Sequence, residues 1–460
     1  MLRFSALILT KKTMFDSETV PTTLPEALET KVPNANGTFA DLNLHPQLSS
    51  RIKTAGYENP TPIQAQAIPL VMQGQDIFGL AQTGTGKTAA FVLPILHKYL
   101  SSKEPKGKTP TTLILTPTRE LADQVLEVVK QFSKEKEIRC TAIYGGRSMG
   151  GQIATLNRGI DVLVGCPGRV LDHMKRRTLN LSKVETLVLD EADQMFDMGF
   201  FPSIRAILAL LPKNRQSLFF SATMPDKIKA LAAEMLQDPE TVQIERTAPT
   251  QTVEQAILPV SNRAKKDLLL HLLSDLTPEE SVLIFTRTKH KAKSLGDDLY
   301  HAGIKAASIQ GNLSQERRSR VMQGFRQGKF QVLVATDIAS RGIDVSQISR
   351  VVNYDLPETS DTYIHRIGRT GRAERLGKAF TLVTEAEARD LRFLERDLKM
   401  TIERKMLEGF DYGNDTPDLS TRQPAPSGAR PSGNRNRGGG GQQRRGGRPG
   451  GNQGGQRARR

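Results

Sequence analysis

Seven consecutive residues, Gln82-Thr83-Gly84-Thr85-Gly86-Lys87-Thr88, carry the groups a phosphate cradle needs. Glycines let backbone N–H groups turn toward phosphate oxygens, a following helix N-terminus adds partial positive charge, an ammonium reaches the outer phosphates, and a hydroxyl can ligate Mg²⁺. Lys87 and Thr88 supply the last two. The segment follows an apolar, strand-like run and precedes the helical pattern AAFVLPILHKYL. The loose pattern GxxxxGK[ST] calls for Gly at position 81, where this chain has Ala81, so alone the segment also reads as a Gly-rich turn. About a hundred residues later, TLVLDEAD ends an apolar run in acids. A carboxylate at the end of a strand beside a phosphate loop holds a divalent cation in nucleotide hydrolases, and a second orients or deprotonates the attacking water. Asp190 fits the first role, with Thr88 as a second metal ligand, and Glu191 fits the other. The plain alternative is an acidic loop capping the next helix. In the following QMFDMGF, Met195, Phe196, Met198 and Phe200 read as packing residues. A third cluster, HRIGRTGR at 365–372, places His365, Arg366, Arg369 and Arg372 at the start of a helical pattern, and its alternative is a solvated basic face.

Elements must bring these clusters together. Strand-like runs at 77–81, 112–116, 139–144, 162–165, 186–189 and 217–221 alternate with longer helical patterns, and the alternation resumes at 254–260, 281–286, 305–310, 331–335, 350–354 and 379–383. Continuous apolar strands separated by helices indicate parallel sheets covered on both faces. The expected class is therefore α/β: a lobe over 39–246, a polar linker at 247–252, and a second lobe over 253–405. A leader (1–38) and an extension with a basic tail (406–460) flank them, both without apolar periodicity beyond about Gly409. The tail from 421 onward holds ten Arg and twelve Gly but no aromatic residue, so it is expected to stay disordered.

That tail explains the charge. The chain has 460 residues and a net charge of +16, yet without the tail's ten Arg the excess is a modest one. No stretch approaches the roughly 18 apolar residues that span a bilayer. Cys140 and Cys166 form no CxxC or metal-spaced cluster, and a reducing compartment is the simplest setting. The apolar run Phe4–Leu9 is shorter than a secretory core of about 7 to 15 residues. Met14 is an alternative start, and without secretion the Asn-x-Ser/Thr triplets at Asn36 and Asn180 carry no meaning.

Taken together, Ala81 to Thr88, Asp190-Glu191-Ala192-Asp193, Ser221-Ala222-Thr223 and HRIGRTGR resemble the DEAD-box RNA helicases over about residues 39 to 400. The ending TIERKMLEGFDY with its basic tail is most similar to the bacterial RhlE-type group. The resemblance implies two RecA-like lobes with an ATP cleft between them, ATP and Mg²⁺ as cofactors, RNA as partner, no membrane, a cytoplasmic setting, and possible ribosomal or RNA-decay assemblies. It assigns catalysis to Lys87, Asp190, Glu191, Arg369 and Arg372. Nucleotide binding falls to Phe39, Tyr57, Gln64, Thr83, Gly84, Thr85, Gly86, Lys87, Thr88, Gly342 and Asp344, with Phe39 stacking on adenine and Gln64 reading its edge. By residue type alone Gln64 in a Pro-rich turn is an ordinary surface residue, although an amide does offer the donor and acceptor that adenine requires. RNA-backbone contacts fall to Pro117, Thr118, Arg119, Gly146, Gly168, Arg169, Arg287, Gly311, Gln315, Arg318, Thr336 and Asp337. Asp193, Ser221, Thr223, His365 and Arg366 are implied in coupling, with Arg366 bridging the lobes. Cys166 stands where the family usually has Thr, which removes a hydrogen bond worth about 0.5 to 1.5 kcal/mol if that hydroxyl meets a phosphate.

Two other readings remain beside this one: an RNA clamp that binds ATP without turning it over, and a DNA helicase of the same superfamily. The tail should act as a sequence-independent anchor through phosphate charge, since it offers no stacking platform. Deleting residues 421–460 should lower the salt slope of single-strand binding by at most roughly 7, from about 0.7 per neutralised phosphate. Turnover at saturating RNA should hold, and a large loss of kcat would contradict the tether role.

Overall fold

The computed structural model describes residues 37–82, 84–102, 107–133, 138–244, 253–340, 348–371, 377–413, 416, 417 and 419. The leader up to residue 36, the linker 247–252, the tail, and the expected site residues Thr83, Gly342, Asp344 and Arg372 lie outside the described residues.

Seven strands make the first sheet: β1 (Ile77–Leu80), β2 (Thr112–Leu115), β3 (Cys140–Ile143), β4 (Val162–Gly165), β5 (Thr186–Leu189), β6 (Gln216–Ser221) and β7 (Glu240–Gln243), in the order β3-β4-β2-β5-β6-β1-β7. Seven more make the second: β8 (Val253–Pro259), β9 (Val282–Phe285), β10 (Ala306–Ile309), β11 (Val332–Ala335), β12 (Arg350–Asn353), β13 (Gly377–Val383) and β14 (Glu403–Arg404), in the order β10-β11-β9-β12-β13-β8-β14. Every pairing in both sheets is parallel. The second order is the first shifted by seven strands, so one topology occurs twice. This is the arrangement of two RecA-like lobes.

The strands form where the apolar runs predicted them because both faces of each sheet are covered. Side chains alternate across a strand. In β2, Ile114 packs into the cluster with Val164, Val188 and Leu218, while Leu113 and Leu115 pack into the opposite one with Leu163, Leu187 and Phe219. The second sheet repeats this, with Val282 and Ile284 on one face and Leu283 and Phe285 on the other. Each such fully buried side chain contributes about 1.5 to 3 kcal/mol. Helices then start close to the strand ends. Thr118, Ser148, Thr288, Ser314 and Thr359 each cap one by accepting a backbone N–H.

Two strands were not foreseen. β7 (ETVQ) and β14 (ER) lie at sheet edges and contain almost no apolar run. The extension also holds on further than its pattern suggests. Leu407, Phe410 and Tyr412 pack against the second lobe's core, the Leu407 N–H donates to the Tyr412 hydroxyl at 2.8 Å, and His271 Nε2 meets the Glu408 carbonyl at 2.8 Å. No described helix is long and apolar enough to cross a membrane.

Candidate active site and the cleft beside it

The phosphate loop leaves β1 at Leu80, and the Ala81 N–H donates to the Ser221 carbonyl at the end of β6. Gly84 and Gly86 both hold positive φ, 91° and 92°, and Gly86 caps the helix Lys87–Ser101. A side chain at 86 is disfavoured for a further reason: its Cβ would run into the Gln64 amide and the Thr61 hydroxyl, forcing both to move. Gln64 is buried, accepting from the Thr61 N–H at 3.0 Å and donating to the Gly86 carbonyl at 3.1 Å. The surface alternative for Gln64 therefore falls, and its amide braces the phosphate loop. Phe39 differs from expectation as well. Its ring is buried in the first lobe's core, edge-on to Tyr57 at 6.1 Å, and half-buried Tyr57 is the more exposed of the two.

Behind the loop stand charges that the protein itself leaves incomplete. Lys87 Nζ and Asp190 Oδ1 are buried and have no hydrogen-bond partner among the described residues. Burial pushes the Asp190 carboxyl up, to about 7; Lys87 opposes the shift and Glu191 adds to it. A buried ammonium and a buried carboxylate beside positive-φ glycines fit a phosphate group and a divalent cation, with Thr88 half-buried next to Lys87. Glu191 sits in the left-handed region at φ 57°, ψ 54°, a conformation that costs a non-glycine residue roughly 1 to 2 kcal/mol. This strain places a carboxylate between β5 and the helix Ala192–Asp197.

Asp193 joins that helix to β6. Its Oδ2 accepts from the Ala222 N–H at 3.1 Å, the Thr223 N–H at 3.0 Å and the Thr223 hydroxyl at 3.2 Å, while the Ser221 hydroxyl donates to the Thr223 carbonyl at 2.8 Å. Across the cleft, His365 of the second lobe is held below its ordinary pKa by burial first, with Asp193 pulling it back up, Arg369 pushing it down, and Asp361 and Glu191 pulling up. The second lobe's helix Ser360–Ile367 thus faces the first lobe's acids, and Gln194 shares a small cavity with His365, Arg366 and Arg369.

Among the described residues, Arg366 makes its hydrogen bonds within the second lobe. Its guanidinium is buried within the second lobe, bidentate to Asp337 at 2.6 and 2.7 Å, with further bonds to Asn353 Oδ1 and the Asp355 carbonyl and with Phe285 beneath it. A charge buried this deeply must be paired where it lies. The same pairing engages both carboxylate oxygens of Asp337.

A separate cleft of about 430 Å³ is lined from both lobes. The first contributes Pro117, Thr118, Arg119, Gly168 and Arg169, and the second Gly311, Gln315 and Arg318. Gly146 adjoins it through Arg119, whose Nη1 lies 2.4 Å from where a Gly146 Cβ would stand. Two polar contacts join the lobes here: Arg119 Nη1 donates to Gln315 Oε1 at 2.9 Å, and Arg318 pairs with Glu120. Glu120, next to Arg119, carries none of the roles expected from the sequence. Thr118 spends its hydroxyl capping the helix Arg119–Phe132. Arg287 and Thr336 lie at the ends of β9 and β11 and do not line this cleft. Cys166 lines it as a buried thiol, pushed up to about 12 by burial, so it offers neither a charge nor a hydroxyl.

The repeated sheet, the phosphate loop with its acids, and the two-lobed cleft define a nucleotide-driven motor of the helicase type. Residues 61–231 match the family model described as DEAD/DEAH box helicase, and 264–374 match the helicase conserved C-terminal domain. The RNA helicase CrhR of Synechocystis is 46% identical over 80% of this chain and 74% of its own length. The DEAD-box ATP-dependent RNA helicase CshA of Geobacillus kaustophilus is 44% identical over 80% and 78%. Among solved structures, Saccharomyces cerevisiae Dbp5 bound to RNA and ADP BeF3 superposes with TM-score 0.71 at 34% identity, covering 80% of this chain and 95% of that one. The chain belongs to the DEAD-box ATP-dependent RNA helicase family. The relatives above carry the names CshA and CrhR rather than RhlE.

The raised Asp190 pKa has a thermodynamic consequence. The folded protein binds this proton more tightly than the unfolded chain, so its contribution is present below about pH 4 to 5 and is lost as pH rises through about 7. Urea unfolding should therefore show Asp190→Asn gaining stability relative to the parent between pH 5 and pH 8. A pH-independent difference would contradict the buried, proton-holding carboxylate.

Proposed function

We propose that this chain uses ATP binding and hydrolysis to close its two lobes on RNA and so separate short duplexes or remodel RNA–protein contacts. The observation that carries the proposal is the split site: the phosphate loop and acids belong to one lobe, and His365 and Arg369 face them from the other. Neither lobe completes the chemistry alone.

In this reading Lys87 and the loop N–H groups hold the outer phosphates. Thr88 and Asp190 would hold Mg²⁺, which would supply neutralising charge to those phosphates. Glu191 orients a water whose oxygen attacks the terminal phosphorus and accepts its proton, while the bond to the bridging oxygen breaks and ADP leaves. Arg369 and Arg372 stabilise the charge that develops on the transferred group, a role worth about 10³ to 10⁵ in rate for arginines of this kind. Hydrolysis is thereby made conditional on closure. Tyr57 supports the base, and Gln64 acts through the Gly86 carbonyl as well as at the adenine edge. Asp193, Ser221, Thr223 and His365 link the nucleotide side to the RNA side.

The cleft supplies guanidinium, hydroxyl and glycine N–H donors, which suit a sugar-phosphate backbone and carry no sequence code. Backbone contacts of this kind serve structured RNA generally, as in ribosomal or RNA-decay assemblies, and two free cysteines suit the reducing cytoplasm. Lys87→Ala and Glu191→Gln should each lower RNA-stimulated ATP turnover by about 10² to 10⁴, and matched RNA and DNA duplexes should be unwound in favour of RNA. Near-normal turnover in either variant would remove the active-site assignment, and equal unwinding of DNA would remove the RNA preference.

A further inference from the structure

Two turns at the cleft are tied together by side chains that belong to neither. Gln152, buried in the helix Met149–Asn157, donates through Nε2 to the Tyr144 carbonyl at 3.2 Å and the Arg147 carbonyl at 3.4 Å. Those carbonyls stand on either side of Gly145-Gly146, so one amide spans the turn in which Gly146 holds φ 88°. Gln152 Oε1 meets His173 Nε2 at 3.3 Å. His173 is fully buried in the helix Pro167–Lys175, whose first turn carries Gly168 and Arg169. Arg169 Nη1 in turn donates to the Arg147 carbonyl at 3.2 Å.

The hydrogen-bond roles follow from the network. With its NH₂ committed to two carbonyls, Gln152 presents only an acceptor to the ring, so His173 offers it Nε2–H, while Nδ1 meets the Thr178 hydroxyl at 2.9 Å, whose one proton is shared with the His173 carbonyl at 3.1 Å. Burial first, then the Arg169 charge, hold the imidazole below its ordinary pKa, with Asp172 opposing the shift. The consequence extends beyond the turn. Arg119 lies against Gly146 and reaches Gln315 across the lobes, so displacing the turn displaces Arg119 as well.

We propose that Gln152 and His173 are positioning residues, a buried clamp that holds the Gly145-Gly146 turn in register with Arg169 for binding the RNA backbone. The proposal rests on the reading of the cleft as the RNA site. His173 acts without touching RNA, since no part of it reaches the surface. A purely packing role for the ring would be met equally well by phenylalanine, and a purely packing role for Gln152 by methionine. The hydrogen bonds separate the two cases.

The test is RNA-stimulated ATP turnover of the full-length chain as a function of the concentration of a single-stranded uridine oligonucleotide. His173→Phe and Gln152→Met should each raise the RNA concentration for half-maximal turnover about tenfold, as the loss of one or two buried hydrogen bonds predicts. Turnover at saturating RNA and the KM for ATP should stay within about twofold. His173→Gln, which restores an N–H donor, should recover most of the affinity, and Arg169→Ala serves as the direct-contact control. Unchanged RNA dependence in both disrupting variants, with Arg169→Ala impaired, would overturn the clamp. If Arg169→Ala also left the RNA dependence unchanged, the RNA reading of the cleft would be wrong instead. Should His173→Phe fail to fold by circular dichroism, the near-isosteric Gln152→Met decides alone, and an equal fall in turnover and RNA affinity would show general damage and count against the proposal.

Discussion

A parallel sheet delivers the carboxyl end of every strand to one edge, and this molecule builds its chemistry under that constraint twice. In the first lobe, β1 ends in the phosphate loop, β2 in Pro117-Thr118-Arg119, β3 in Gly145-Gly146, β4 in Cys166-Pro167-Gly168-Arg169, β5 in Asp190-Glu191 and β6 in Ser221-Ala222-Thr223. In the second, β9, β10 and β11 end beside Arg287, Gly311 and Thr336. Groups far apart in the chain become neighbours because each follows a strand of the same direction. The strand order then sorts them. Central β5, β6 and β1 carry the nucleotide chemistry, while β2, β4 and β3 toward one edge carry the cleft.

Apposing two such edges makes one composite surface, and its joints are polar rather than apolar. The Arg119–Gln315 bond and the Glu120–Arg318 pair involve half-buried groups next to the cleft. Half-buried polar contacts can be broken and remade without exposing a hydrophobic core, which suits an interface that opens in each cycle. Arg366 shows the opposite design. Fully buried and bonded to Asp337, Asn353 and Asp355, it belongs to the permanent framework of its lobe.

Much of this was legible in order along the chain, because apolar runs and glycine-rich or charged turns are local signals. Edge strands β7 and β14 escaped for want of an apolar run, and Phe410 and Tyr412 lay past the point where the apolar pattern thins. Side-chain geometry was less accessible. Nothing local to Phe39 says that its ring turns into the core, or that Arg366 spends its charge on Asp337. The Arg119–Gln315 and Glu120–Arg318 contacts join positions separated by nearly the length of a lobe, and Gln152 meets His173 only because two successive crossover helices pack together. The nearest available signal was a buried polar residue type close to a glycine turn, which by itself names no partner.

The central claim is that nucleotide and RNA are bound by one closed arrangement of two lobes, so each must strengthen the other by the same factor. The most direct test is a closed thermodynamic cycle in equilibrium: RNA affinity with and without a non-hydrolysable ATP analogue, and analogue affinity with and without RNA. Closure predicts an equal enhancement on both sides of the cycle, of about tenfold or more. RNA binding that is indifferent to the analogue would show that the cleft is complete without closure and would contradict the account.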